Sequence, residues 1–220
     1  WIDLTNEGKY FGRGLFQRAN WADDNNYLPH SSFRISIPFG LRFNLVSKNL
    51  MKIFNFFYFS KNLKKKRKEK AHYASFFYPL DVLKGWNKLY GKNGFSQYQF
   101  VLPEENSKTA LDEILRVLKE DKFMPRLCVL KTFGKIPSLG HLSFPLKGTT
   151  LAMDFPNNIL KNKNLYSKFD EIVIKNGGKI YPAKDSFMDK VTFQNSYNNF
   201  HKFKKLKDTN ISSDFWERVS

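Results

Sequence analysis

The residues best suited to chemistry in this sequence are amides, cations and one phenol, and their spacing is that of strands. Gln97 and Gln99 lie two apart in GFSQYQFVLP, residues 94–103. Alternate residues of a strand share a face, so the two amides point one way while Tyr98, Phe100 and Leu102 point the other. Each amide donates and accepts, which suits the reading of hydroxyl groups. Lys131 lies in RLCVLKTF, residues 126–133, on one face with Leu127, Val129 and Phe133. A lysine among such neighbours must reach water, an acidic partner or an anionic ligand. In TTLAMDF, residues 149–155, Thr150, Ala152 and Asp154 oppose Leu151, Met153 and Phe155. Tyr181 and Lys184 stand three apart in GGKIYPAKDS, residues 177–186. They could supply a hydroxyl, a ring and a cation to one site. An edge strand with a snorkelling lysine, solvated glutamines and an ordinary surface turn would produce the same residues.

The elements that must position these groups are legible from 94 onward. The 94–103 strand is followed by a helix from Thr109 to Glu120, with Leu111, Ile114, Leu115 and Leu118 on one face and Ser107 as N-cap. Strands 126–133 and 149–155 come next. A second helix runs from about Asn158 to Lys175 and stops at Gly177-Gly178, and a short strand covers Lys179 to Tyr181. Strand–helix–strand–strand–helix–strand is the order of a ferredoxin-like unit. The fold class expected is α+β, an antiparallel sheet with helices on one face and a binding surface on the other.

The first 93 residues are less regular. WIDLTNEGKYFGRGLFQRANWADD mixes Gly, Arg, Asn and aromatics and reads as strand, loop and turn, with an extended segment from Phe33 to Ile37. LRFNLVSKNLMKIFNFFYF, residues 41–59, reads as a helix entering an aromatic cluster. KNLKKKRKEK, residues 61–70, is a block of charge, most simply a solvated loop. Beside the apolar stretch, the same block suits a peripheral contact of residues 51–70 with an anionic membrane.

Composition bounds the rest. The chain has 220 residues, 41% hydrophobic and 17% aromatic, enough for a real core. Its formal charge of +17 points to nucleic acid, an anionic membrane or an anionic substrate. Lysine and asparagine are frequent throughout, so general compositional bias accounts for much of that charge, and no nucleic-acid partner is expected. A single cysteine, Cys128, excludes an intrachain disulfide and fits a reducing compartment. The four histidines show no metal-ligand spacing, so no metal is expected. GKYFGRG and GKNG match neither the P-loop nor the dinucleotide fingerprint.

Four stretches together carry a family resemblance. They are YPLDVLKGWNKLYGKNGFSQYQFVLP (78–103), VLKTFG (129–134), LSFPLKGTTLAMDFP (142–156) and GGKIYPAKDS (177–186). The chain resembles the flavin-dependent decaprenylphosphoryl-β-D-ribose 2′-oxidases, of the vanillyl-alcohol-oxidase class. Its start, WIDLTNEGKYFGRGLFQRANWA, is similar to the segment that opens their substrate domain, and ISSDFWERV to their C-terminus. Residues 41–70 resemble the family least.

The resemblance implies a substrate-binding (cap) domain over residues 1–178. It also implies a C-terminal segment, 179–220, that packs on an N-terminal FAD-binding domain outside this sequence. It implies FAD as cofactor and oxidation of the 2′-hydroxyl of a polyprenyl-phosphoryl ribose to a ketone. A partner reductase then completes epimerisation to the arabinose sugar used in cell-wall arabinan. Positions near flavin and substrate fall on Trp1, Gln97, Gln99, Lys131, Tyr181 and Lys184. Lys184 takes the role of the cation near the reacting centre, Tyr181 orients substrate or flavin, and Lys131 holds a polar or anionic part of the substrate. Thr150 and Ala152 depart from the family's Asn and Cys, and Met153 from its Val, so substrate detail stays open around Thr150. The expected location is cytoplasmic and peripheral to the inner membrane. Two alternatives remain: an aldonolactone or alditol oxidase of the same class, and a basic binding module without redox chemistry.

Overall fold

The computed structural model describes residues 1–23, 34–37, 45–60, 67–184 and 187–220, the side chain of Trp86 excepted. The chain divides into two compact units, Trp1–Phe95 and Ser96–Ser220. Phe33, residues 61–66 of the basic block, and Asp185 and Ser186 lie outside the described residues.

The first unit is built around an inverted amphipathic helix. Strand β1 (Ile35–Ser36) precedes helix α1 (Lys48–Ser60), which is followed by α2 (Tyr73–Phe77), β2 (Leu83–Lys84) and a 3-10 turn at Trp86–Tyr90. β1 and β2 pair in parallel. Met51 of α1 packs with Val46 and Tyr90, flanked by Leu89 and Phe95. One turn on, the buried residue is Asn55. Its Nδ2 donates to Asp3 Oδ1 at 2.8 Å and to Thr5 Oγ1 at 2.9 Å. Asp3 also accepts from the backbone N–H and hydroxyl of Thr5, from Asn6 Nδ2 and from Arg13 Nε. This fully buried carboxylate ties the N-terminal turn to α1.

Burial alone would raise the Asp3 pKa, but the donors on Thr5, Asn6 and Asn55 outweigh it and hold the carboxyl below its ordinary value. A lowered folded pKa stabilises the native state fully above the unfolded pKa, and that stabilisation disappears as pH falls through the folded value. The denaturation midpoint of the first unit is therefore expected to drop on the acid side of the ordinary carboxylate value of 3.8. Asp3→Asn should lower the midpoint at neutral pH and flatten that acid limb. A chemical-denaturation series followed by tyrosine and tryptophan fluorescence measures both.

The second unit is the ferredoxin-like element expected from the pattern. Its order is β3 (Phe95–Pro103), α3 (Ser107–Asp121), β4 (Leu127–Phe133), β5 (Gly148–Pro156), α4 (Ile159–Lys175) and β6 (Lys179–Ile180). The antiparallel sheet runs β4-β5-β3-β6. Tyr98, Phe100 and Leu102 of β3 and Leu151, Met153 and Phe155 of β5 are buried on the face that carries the helices. Ile114 and Leu118 of α3 and Leu165, Phe169 and Val173 of α4 complete that core. Cys128 is buried with it.

Two local readings shift. The helix expected at Thr109–Glu120 begins earlier, because Ser107 is its first residue rather than its cap: the Ser107 hydroxyl donates to the Pro103 carbonyl at 2.7 Å. The second helix starts as expected, with Asn158 accepting from Lys161 N at 3.1 Å. Gly177, at φ +72°, turns the chain out of α4.

Past the sheet, a 3-10 turn at Pro182–Lys184 leads to α5 (Lys190–Ser196), α6 (Phe200–Leu206) and α7 (Asp214–Val219). Tyr197 OH donates to the Ile180 carbonyl at 2.8 Å, which fastens β6 to the start of this tail. Burial pushes that phenol far above its usual pKa, so it stays a donor. Within this chain α5 packs against β6 and α4, and α7 packs against α5.

Candidate functional site

The site lies on the sheet face opposite α3 and α4. Strand alternation puts Gln97 and Gln99 of β3 there, with Thr150, Ala152 and Asp154 of β5. The β4–β5 register adds Lys131 opposite Thr150, Val129 opposite Ala152 and Leu127 opposite Asp154. One sheet face therefore gathers most of the side chains singled out by residue type.

The two glutamines have different surroundings. Gln97 Nε2 donates to Asp154 Oδ1 at 2.5 Å. Asp154 is buried, so this charge-assisted bond ties Gln97 into the sheet. Gln99 Nε2 donates to Thr150 Oγ1 at 3.2 Å, and that hydroxyl donates to the Phe100 carbonyl at 2.7 Å. Thr150, only 1% exposed, spends its hydroxyl within the sheet and sets the orientation of Gln99.

Gln99 forms part of a pocket of about 390 Å³ with Phe133, Leu142, Phe144, Pro145, Tyr181 and Pro182. The loop from 134 to 147 supplies the cover. Phe144, buried against the sheet, stacks on Tyr181 at 4.5 Å and meets Phe133 edge-on at 6.0 Å. Lys179 holds the loop down: its half-buried Nζ donates to the Ser143 carbonyl at 3.0 Å, and burial lowers its pKa. Tyr181 is fixed from the other side, since its N–H donates to the Gln99 carbonyl at 2.8 Å. The result is a polar floor with aromatic walls, the usual make-up of a small-ligand site.

The structure brings Gln99 and Tyr181 together directly, with Thr150 behind Gln99. Lys131 is exposed on the same face, two residues from Phe133. Lys184 is exposed at the end of the turn that begins at Pro182, its N–H bonded to the Tyr181 carbonyl at 3.1 Å. Neither lysine lines the pocket. Trp1 belongs to the first unit, where its ring meets Tyr58 of α1 edge-on at 5.2 Å.

Sequence reasoning missed Phe144, Leu142 and the anchoring Lys179, and it gave Asp154 no role. Asp154 was recoverable, because it shares a face with Thr150. The loop residues had no periodic signal to expose them.

The pocket volume is that of a ring-sized ligand, and its lining offers one amide and one phenol among aromatic and apolar side chains. Among the described residues no group of His, Cys, Asp and Glu could hold a metal ion. No described helix is long and apolar enough to cross a membrane.

No protein-family profile matches the chain. A curated relative is decaprenylphosphoryl-β-D-ribose oxidase of Mycolicibacterium smegmatis, 34% identical over 131 residues. The match takes in 60% of this chain and 28% of that protein, so the chain spans under a third of the relative's length.

Proposed function

We propose that this chain, a partial homologue of the decaprenylphosphoryl-β-D-ribose oxidases, is the substrate-binding part of an FAD-dependent oxidoreductase. The substrate proposed is a polyprenyl-phosphoryl-β-D-ribose, oxidised at its 2′-hydroxyl to a ketone. The observation that carries this reading is the 34% identity to that oxidase. The polar pocket at Gln99 and Tyr181 is consistent with it.

FAD, when bound, supplies the acceptor for the hydride that leaves the carbinol carbon. The dinucleotide half would be held by an N-terminal FAD-binding domain outside this chain, against which residues 179–220 also pack. The chain's own residues bind, orient and polarise the sugar. Gln99, steadied by Thr150, reads a sugar hydroxyl through its amide, while Gln97 stiffens the strand through Asp154. Tyr181 orients the ring from the wall. Lys131 meets the phosphoryl end. Where the hydroxyl proton passes to water ahead of the hydride, negative charge builds transiently on the alcohol oxygen, and the Lys184 ammonium would lower the cost of that charge. A reductase acting on the keto-sugar would follow. The place proposed is the cytoplasmic side of the inner membrane, where such a lipid is reached.

The test uses the full protein that carries this chain. Under anaerobic conditions its flavin band should bleach when a polyprenyl-phosphoryl ribose is added. Bleaching by an aldonolactone or alditol, with no response to the lipid-linked ribose, would replace the substrate with a soluble one. Absence of any flavin band would overturn the oxidoreductase reading.

A further inference from the structure

We propose that α1 is a membrane-docking helix that lays its outward face into an anionic bilayer surface. The inference is independent of the oxidase chemistry, since it rests on the first unit alone.

Helix α1 is inside out. Leu50, Ile53, Phe54 and Phe57 recur at i, i+3, i+4 and i+7, the spacing of one continuous stripe. They are 44%, 54%, 50% and 66% exposed, and Phe56 beside them is 55% exposed. The inward face carries Met51, packed on Val46 and Tyr90, and the buried amide of Asn55, committed to Asp3 and Thr5. A helix with its amide inside and its phenylalanines outside has its apolar stripe arranged for something other than water.

Charge decides what covers it. The helix sequence KNLMKIFNFFYFS has no acidic residue. The segment that follows it, KNLKKKRKEK, carries seven Lys or Arg against one Glu. Lys48 and Lys52 of the helix and Arg67, Lys68 and Lys70 beyond it, against Glu69 alone, would repel the same charges on a second copy, which argues against self-association through this face. An anionic lipid headgroup layer offers the opposite charge together with an apolar interior for the stripe. At 13 residues the helix is about 20 Å long, too short to span a bilayer and suited to lie in its interface.

The test is co-sedimentation of the full protein with vesicles of phosphatidylcholine containing phosphatidylglycerol, and with phosphatidylcholine alone. Binding is expected to the anionic vesicles and to weaken with salt. Phe54→Ser with Phe57→Ser should reduce vesicle affinity about ten-fold or more. Both side chains are exposed, so the fold should persist, and an unchanged thermal midpoint checks it. If that variant does unfold, Arg67→Gln, Lys68→Gln and Lys70→Gln together give a second reading, with binding expected to fall several-fold. No binding to anionic vesicles, or binding indifferent to both variants, overturns the proposal. A dimer lost in the phenylalanine variant without vesicle binding overturns it in favour of a second copy. Flavin bleaching is read separately, so failure of docking and failure of the oxidase reading are distinguishable.

Discussion

Gly148→Ala is expected to disrupt the second unit, lowering its stability by about 3 kcal/mol or more. Gly148 opens β5 at φ +154°, a backbone setting that side chains rarely adopt. A Cβ built there would lie 1.9 Å from the Leu102 carbonyl oxygen and 2.9 Å from the Glu104 nitrogen. Both neighbours are backbone at the end of β3, so no side chain can swing aside. β5 would have to move away from β3, and those two strands are the middle of the sheet. The move would strip Thr150 from Phe100 and Gln99 and loosen the pocket floor. Gly134→Ala is the control, since a Cβ there meets nothing within 4 Å. Thermal unfolding should show a midpoint lowered by roughly ten degrees for the first variant and little change for the second. Equal midpoints would mean that the β5–β3 approach is looser than the structure shows.

Lys184→Ala in the full protein is expected to slow anaerobic flavin bleaching by about a hundred-fold or more, with flavin content unchanged. Removing one preorganised group from a developing oxyanion costs on the order of a hundred- to a thousand-fold in other enzymes. The backbone at Lys184 is set by two bonds: Tyr181 N–H donates to the Gln99 carbonyl, and Lys184 N–H donates to the Tyr181 carbonyl at the end of the turn. Its side chain is exposed, so the substitution should leave the thermal midpoint unaltered. Lys184→Arg keeps the charge and should recover part of the rate. Lys190→Ala, on an exposed lysine of α5, should do nothing. A Lys184→Ala rate within about threefold of the unaltered protein would remove Lys184 from the role.

The pocket and α1 pose different design problems. The pocket uses buried bonds to aim one amide, and Thr150, where the chain departs from the family it resembles, accepts one of them. Substituting an amide for that hydroxyl would change what Gln99 presents. The first unit instead buries a carboxylate and an amide and leaves Phe54, Phe56 and Phe57 exposed, the face proposed to meet a membrane.

What the sequence by itself determined was the ferredoxin-like order of the second unit and the face on which its polar residues gather. Period-two alternation in 95–103 and 148–156 and helical spacing over Leu111–Leu118 are local signals, and burial enforces them. Ile114 and Leu118 had to face the same side as Phe100 because no other arrangement hides both. Family motifs added the expectation of flavin chemistry, which composition alone could not supply.

Only the tertiary structure decided which of the two glutamines lines a pocket. Alternation makes Gln97 and Gln99 equivalent; Asp154 captures the first and Thr150 supports the second, through strands more than 50 residues away. Phe144 is likewise placed by a bond between Lys179 and Ser143, which no local pattern records. Which face of α1 turns outward was hidden for the same reason: composition suggested a surface contact for the stretch, but Asp3, 52 residues earlier, decides the face by claiming Asn55 for the inside. Local periodicity says which residues share a face, and long-range pairing says what that face meets.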